Sequence, residues 1–149
     1  MYRIVSFIII FSFVGVMLYF HQQNSHISAS NLHEQHHQTT IEIPSRYPLP
    51  TITGTIIQDP TGSWLLKIET TNFSFTPEKV GSTTTSYYEG HAHLYINGEK
   101  INRLYGNYYN IESLKTGTHY IKVTLNTNNH HTLSYGGEEI SFEKKVIVS

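Results

Sequence analysis

His91 and His93 stand two positions apart in Gly90-His91-Ala92-His93-Leu94-Tyr95-Ile96-Asn97-Gly98, a run that alternates polar and apolar side chains. In a strand, neighbouring side chains point to opposite faces, so Ala92, Leu94 and Ile96 share one face and His91, His93 and Tyr95 the other. Cα atoms at i and i+2 of a strand lie about 6.5–7 Å apart, which lets two imidazoles reach one ion. Imidazole nitrogen suits zinc, copper and nickel. A third ligand would come from His119, which opens a later Val/Leu run, or from His130 or His131 in an Asn-rich stretch. The same alternation also describes the ordinary polar face of a half-buried strand. His119 shares its parity with Ile121, Val123 and Leu125, as a histidine at the edge of a core would.

The other histidines, His21, His26, His33, His36 and His37, lie in a polar stretch rich in Gln, Ser and Thr. Such tracts hold metals loosely or serve as solvated spacers. Cleavage after Ser30 would expose Asn31-Leu32-His33, offering an amine, two backbone amides and an imidazole. Four nitrogens in one plane match the tetragonal preference of Cu(II) and Ni(II). His33 is a candidate ligand only in that case.

Other chemistries find little support. The chain has no cysteine, which removes disulfides, thiolate metal sites and thiol nucleophiles together. Asp59 is the only aspartate and sits in the turn sequence Asp59-Pro60-Thr61-Gly62. No serine occupies a nucleophile elbow, and no glycine-rich loop is built to cradle phosphate. A non-catalytic protein is expected. From Tyr47 onward eight Lys/Arg face nine Asp/Glu, so neither a nucleic acid nor a strongly cationic partner is implied.

The elements that must hold these residues read as β. Asn97-Gly98 supplies the two positive-φ residues of a tight hairpin turn, which pairs the histidine strand with Lys100 to Tyr105. Runs at Thr51–Ile57, Trp64–Thr70, Phe73–Phe75, His119–Leu125, Thr132–Tyr135 and Ile140–Val148 are bounded by Gly, Pro, Asn and Asp. About seven short strands with regular turn signals predict an all-β, Ig-like antiparallel sandwich over 47–149. Tyrosine is abundant, eleven in all. Its ring fits half-buried pleated surfaces, and Tyr105 to Tyr109 would alternatively form an aromatic rim for a partner.

Ahead of the sandwich, Arg3 precedes an apolar run from Ile4 to Phe20. A positive charge before such a run fits export, and residues 1–21 read as a signal peptide or a retained signal-anchor helix. If uncleaved, residues 4–20 tether the protein to a membrane. Residues 22–46 have the composition of a flexible His/Gln-rich linker, stiffened at its exit by Pro44, Pro48 and Pro50.

Several segments carry a resemblance. Asn72-Phe73-Ser74-Phe75-Thr76-Pro77, Gly90-His91-Ala92-His93-Leu94-Tyr95, Asn97-Gly98-Glu99-Lys100, Arg103-Leu104-Tyr105-Gly106, Gly117-Thr118-His119 and Asn126-Thr127-Asn128-Asn129-His130 look like exported bacterial β-sandwich domains of uncharacterised role. That group is similar to small periplasmic copper-associated modules of Ig or cupredoxin-like shape, and the resemblance covers about two thirds of the exported domain. It departs at Tyr108-Tyr109-Asn110, where an aromatic-Tyr-His step would supply a further imidazole. The resemblance implies a periplasmic or cell-envelope protein that binds copper. His91 and His93 are the expected core ligands, His119 or His130 completes the site, and Tyr95 flanks it. A non-metal interaction module that contacts an envelope or extracellular partner is the alternative.

Overall fold

A long, mostly apolar run without proline favours a helix, whereas two-residue alternation punctuated by Gly and Asn favours strands. Both patterns are realised. The computed structural model describes residues 2–30 and 39–149, and the chain divides into two units, Met1–His37 and Gln38–Ser149.

In the first unit helix α1 spans Tyr2–Ser30. Its Tyr2–Phe20 stretch of 19 residues has a mean hydropathy of 2.2, long and apolar enough to cross a membrane. The helix continues to Ser30, through residues whose polar composition reads as linker.

The second unit is mostly β. Its strands are β1 (Thr40–Glu42), β2 (Thr51–Gln58), β3 (Trp64–Thr71), β4 (Ser74–Phe75), β5 (Glu89–Ile96), β6 (Glu99–Leu104), β7 (Tyr108–Ile111), β8 (Gly117–Thr127), β9 (Thr132–Tyr135), β10 (Glu138–Glu139) and β11 (Ser141–Val148). The larger sheet runs β1-β9-β8-β5-β4, with β10 paired to β9, β11 to β8 and β6 to β5; β2-β3-β7 form the smaller.

Two features differ from the sequence reading. The larger sheet is mixed where an antiparallel one is expected, because β1 pairs parallel with β9 and β4 parallel with β5. Both pairs are closed by long connections, which a hairpin signal does not reveal. The unit also takes in residues 40–46 of the expected linker. Thr40-Ile41-Glu42 lies along β9, and Ile43 is 1 % exposed within the core.

The alternation of β5 and β8 sets the core. Ala92, Leu94, Ile121, Val123 and Leu125 are buried as expected, and Ile96 packs half-buried beside them. Ile52, Leu66, Ile68 and Ile111 of the smaller sheet join the same apolar cluster. Each such side chain contributes about 1.5–3 kcal/mol on full burial. At one point the backbones of β5 and β8 approach so closely that only glycine fits. A Cβ on Gly90 would lie 2.0 Å from the Asn126 carbonyl oxygen.

Candidate metal centre

The face of β5 opposite the core carries His91 and His93, and their neighbours across the ladder decide their surroundings. On β8, His91 stands opposite Asn126 and His93 opposite Thr124; on β6, His93 stands opposite Arg103. A bulge between Leu94 and Tyr95 sets that last register. Without it the Asn97-Gly98 turn, with φ of 54° and 83°, would bring Asn102 opposite His93.

This face is roofed. His91 and His93 are each 1 % exposed, where a solvated strand face is expected. The Tyr105 ring lies 5.6 Å from that of His91, and His130 stands over both histidines at 5.0 and 6.3 Å between ring centroids. Tyr105 therefore belongs to the histidine cluster, while Tyr109 is half-buried with its hydroxyl accepting from Asn102 Nδ2 at 3.1 Å. The expected aromatic rim is divided between these environments.

Three imidazoles converge. His91 Nε2 and His93 Nε2 are 2.9 Å apart, and His130 Nδ1 lies 3.3 Å from His91 Nε2. One ring nitrogen from each of the three falls within 4.8 Å of the others. Ligand nitrogens at about 2.0–2.1 Å from a tetrahedral ion are about 3.3 Å apart, so the spacing suits coordination.

His130 comes from the connection between β8 and β9. Thr127 and His131 pair through Thr127 N and His131 O at 2.9 Å, leaving Asn128, Asn129 and His130 as a three-residue loop. The last residue of such a loop takes the left-handed conformation, and His130 has φ of 69°. Glycine or asparagine fills such a position at less cost than histidine. Thr127 and Asn128 are buried; Asn128 Nδ2 donates to Thr76 Oγ1 at 3.0 Å, and Asn129 Nδ2 to Thr85 Oγ1 at 2.9 Å. These bonds fix the loop.

Hydrogen-bond logic assigns the proton of His93. A lysine ammonium has no lone pair, so Lys100 Nζ, 3.1 Å away, donates to His93 Nε2. Neutral His93 then carries its proton on Nδ1, 3.4 Å from the Tyr95 hydroxyl. His91 Nε2 faces both His93 Nε2 at 2.9 Å and His130 Nδ1 at 3.3 Å, and the other ring nitrogen of His91 is Nδ1. That atom is buried with no hydrogen-bond partner among the described residues.

Burial holds both imidazoles neutral. His91 is pushed from the ordinary 6.5 to about 3, by desolvation first and then by His130, Arg103 and Lys100. His93 is pushed to about 2, by desolvation first and then by Lys100, His91, Arg103 and His130. Lys100 itself is lowered by partial burial and by the Arg103 guanidinium. A neutral imidazole is the form that ligates metal.

His119 is placed elsewhere. It lies five residues along β8 from Thr124, the partner of His93, about 17 Å away at strand rise, and its parity is that of the core face. Its Nε2 donates to the Lys115 carbonyl at 2.7 Å, and its Nδ1 accepts from Asn97 Nδ2 at 3.3 Å. His33 lies outside the described residues. His131 is half-buried, and its Nδ1 has no hydrogen-bond partner among the described residues. Lys100 and Arg103 border the cluster without being singled out as site residues by sequence, and Tyr105, expected on a partner rim, lies against His91 instead. For Lys100 the signal is available, since a two-residue turn at Asn97-Gly98 sets it opposite Tyr95. The chain matches no family model, no curated protein and no solved structure.

Proposed function

We propose that this is a non-catalytic metal-binding protein whose His91, His93 and His130 hold a transition-metal ion, copper foremost. The observation that carries the reading is the convergence of three ring nitrogens, 2.9 and 3.3 Å apart at the closest pairs. The donor set is all imidazole, which disfavours oxygen-seeking ions such as calcium and magnesium, and copper heads the affinity order among divalent ions that accept imidazole. The left-handed backbone of His130 supports the reading, because the loop tolerates an unfavourable residue whose ring reaches the cluster.

In this reading the shared core of the two sheets belongs to an Ig-like sandwich, and α1 is its signal or anchor. The domain then works in the periplasm or cell envelope, and an envelope protein is the second partner to which the ion is handed on.

His130→Asn tests the site. Asparagine accepts the left-handed loop position, so the variant removes one ligand while keeping the turn. The full-length chain in detergent is expected to bind one equivalent of copper, and the variant to lose at least tenfold in affinity with an unchanged or higher melting temperature. Wild-type protein that binds no copper or zinc, or a variant that binds as well as wild type, refutes the reading.

A further inference from the structure

The charges around the cluster point to which ions it accepts. Among the described residues the ligand group contains only His91, His93 and His130, with no carboxylate. A bound ion therefore keeps its full charge. Among the described residues, the fixed charges acting on His91 and His93 are those of two cations, Lys100 and Arg103. Lys100 Nζ is only 3.1 Å from His93 Nε2, which puts it within about 5 Å of an ion on that nitrogen. Acids near this sheet face are engaged elsewhere. Glu89, on the parity of His91, pairs with Lys79 at 2.7 Å, and Glu139 and Glu143 pair with Lys122 at 2.7 and 3.3 Å.

Arg103 has its place for a structural reason. The bulge between Leu94 and Tyr95 brings it opposite His93. A regular hairpin would bring the uncharged Asn102 there. The register thus adds a second cation to a site that already has one.

We propose that Lys100 and Arg103 make this centre select by ion charge, admitting a monovalent soft ion, cuprous copper, in preference to divalent ions. The inference rests on the metal-binding reading above and goes further by naming the charge state and the residues that set it. Coulomb repulsion scales linearly with the charge of the entering ion. A divalent ion therefore meets twice the opposition of a monovalent one, while the imidazole donors are the same for both. Lys100 acts here as a selectivity residue, a resident cation that an arriving ion must displace.

Ag(I) and Zn(II) test this without redox chemistry, as inert probes of the two charge states. Both are titrated into the full-length chain in detergent, in chloride-free buffer, for wild type, Lys100→Met and Lys100→Arg. Wild type is expected to bind Ag(I) more tightly than Zn(II). Because the repulsion is linear in ion charge while the hydrogen bond to His93 Nε2 is given up to either ion alike, the Zn(II) gain in Lys100→Met is expected to exceed the Ag(I) gain severalfold, for example about tenfold for Ag(I) and about fiftyfold for Zn(II). Lys100→Arg keeps the charge and is expected to keep the wild-type preference. Lys100 lies outside the apolar core, with only its ammonium end partly buried against His93, so the fold tolerates both changes. Equal gains for the two ions, no gain for either, or a wild type that prefers Zn(II) overturns charge selection while leaving the metal site standing. No binding of Ag(I) or Zn(II) by any of the three chains overturns both.

Discussion

His91 Nε2 and His93 Nε2 approach to 2.9 Å although their residues lie two apart on one extended strand. Their rings are tilted by 52° with centroids 4.7 Å apart, so both side chains lean toward a common point. The pair is buried on the face of the sheet that alternation marks as polar. Removing both rings therefore opens space beneath Tyr105 and His130 and leaves Lys100 without its acceptor. The double change His91→Ala and His93→Ala perturbs the fold as well as the site, which makes His130 the cleaner probe of binding.

Burial of two neutral imidazoles ties stability to pH. Their folded values, about 3 and about 2, lie below the ordinary 6.5. Between those limits the unfolded chain binds more protons than the folded one, so stability is full above about pH 7 and falls as pH drops through 6.5. With both histidines protonated only on unfolding, the slope approaches about 2.7 kcal/mol per pH unit. Denaturation midpoints followed by Trp64 fluorescence at pH 8, 6 and 5 are expected to decline in that order. A flat profile over this range contradicts the buried neutral pair.

The fold is legible in the sequence where alternation is strong and turns are short. Ala92, Leu94, Val123 and Leu125 announce the core face of β5 and β8, and Asn97-Gly98 announces the hairpin. The mixed sheet is not legible, because three residues at Thr40–Glu42 and two at Ser74–Phe75 are too few to show a period, and their partners are distant in sequence. For the site, spacing identifies His91 and His93, but the third ligand depends on tertiary placement. His119 and His130 are equally plausible by type; only the antiparallel register of β5 and β8 puts His130 at the His91 end and His119 at the other. The roof is hidden for a similar reason. A bulge changes which β6 side chains meet His93, and no residue type marks it in advance.

Gly90 tests the close approach of β5 to β8. Its added Cβ would meet backbone, the Asn126 carbonyl oxygen at 2.0 Å, which no rotamer change relieves. Gly90→Ala is expected to destabilise the domain by about 3 kcal/mol or more, in the range of severe overpacking. Gly106 is the control, since a Cβ there meets nothing within 4 Å. Gly106→Ala is expected to stay within about 0.5 kcal/mol of wild type. Equal effects of the two substitutions in denaturant titrations would show that β5 and β8 are not packed this tightly.

His119 separates the role of an imidazole in the fold from its role in the site. Both of its ring nitrogens are engaged by the protein, Nε2 with the Lys115 carbonyl and Nδ1 with Asn97 Nδ2. Asn97 is itself anchored on β8, its Oδ1 accepting from Tyr120 N at 2.9 Å. His119 thus braces the turn of the β5-β6 hairpin against the start of β8, at the end of the sheet away from His130. His119→Gln is expected to leave copper or zinc affinity within about twofold of wild type. The loss of part of the brace is expected to lower stability by about 0.5–1.5 kcal/mol, the scale of one hydrogen bond. Metal titration and thermal melting of the same preparation read both effects. A tenfold loss of affinity with unchanged melting would instead make His119 a ligand and require the two ends of β8 to come together.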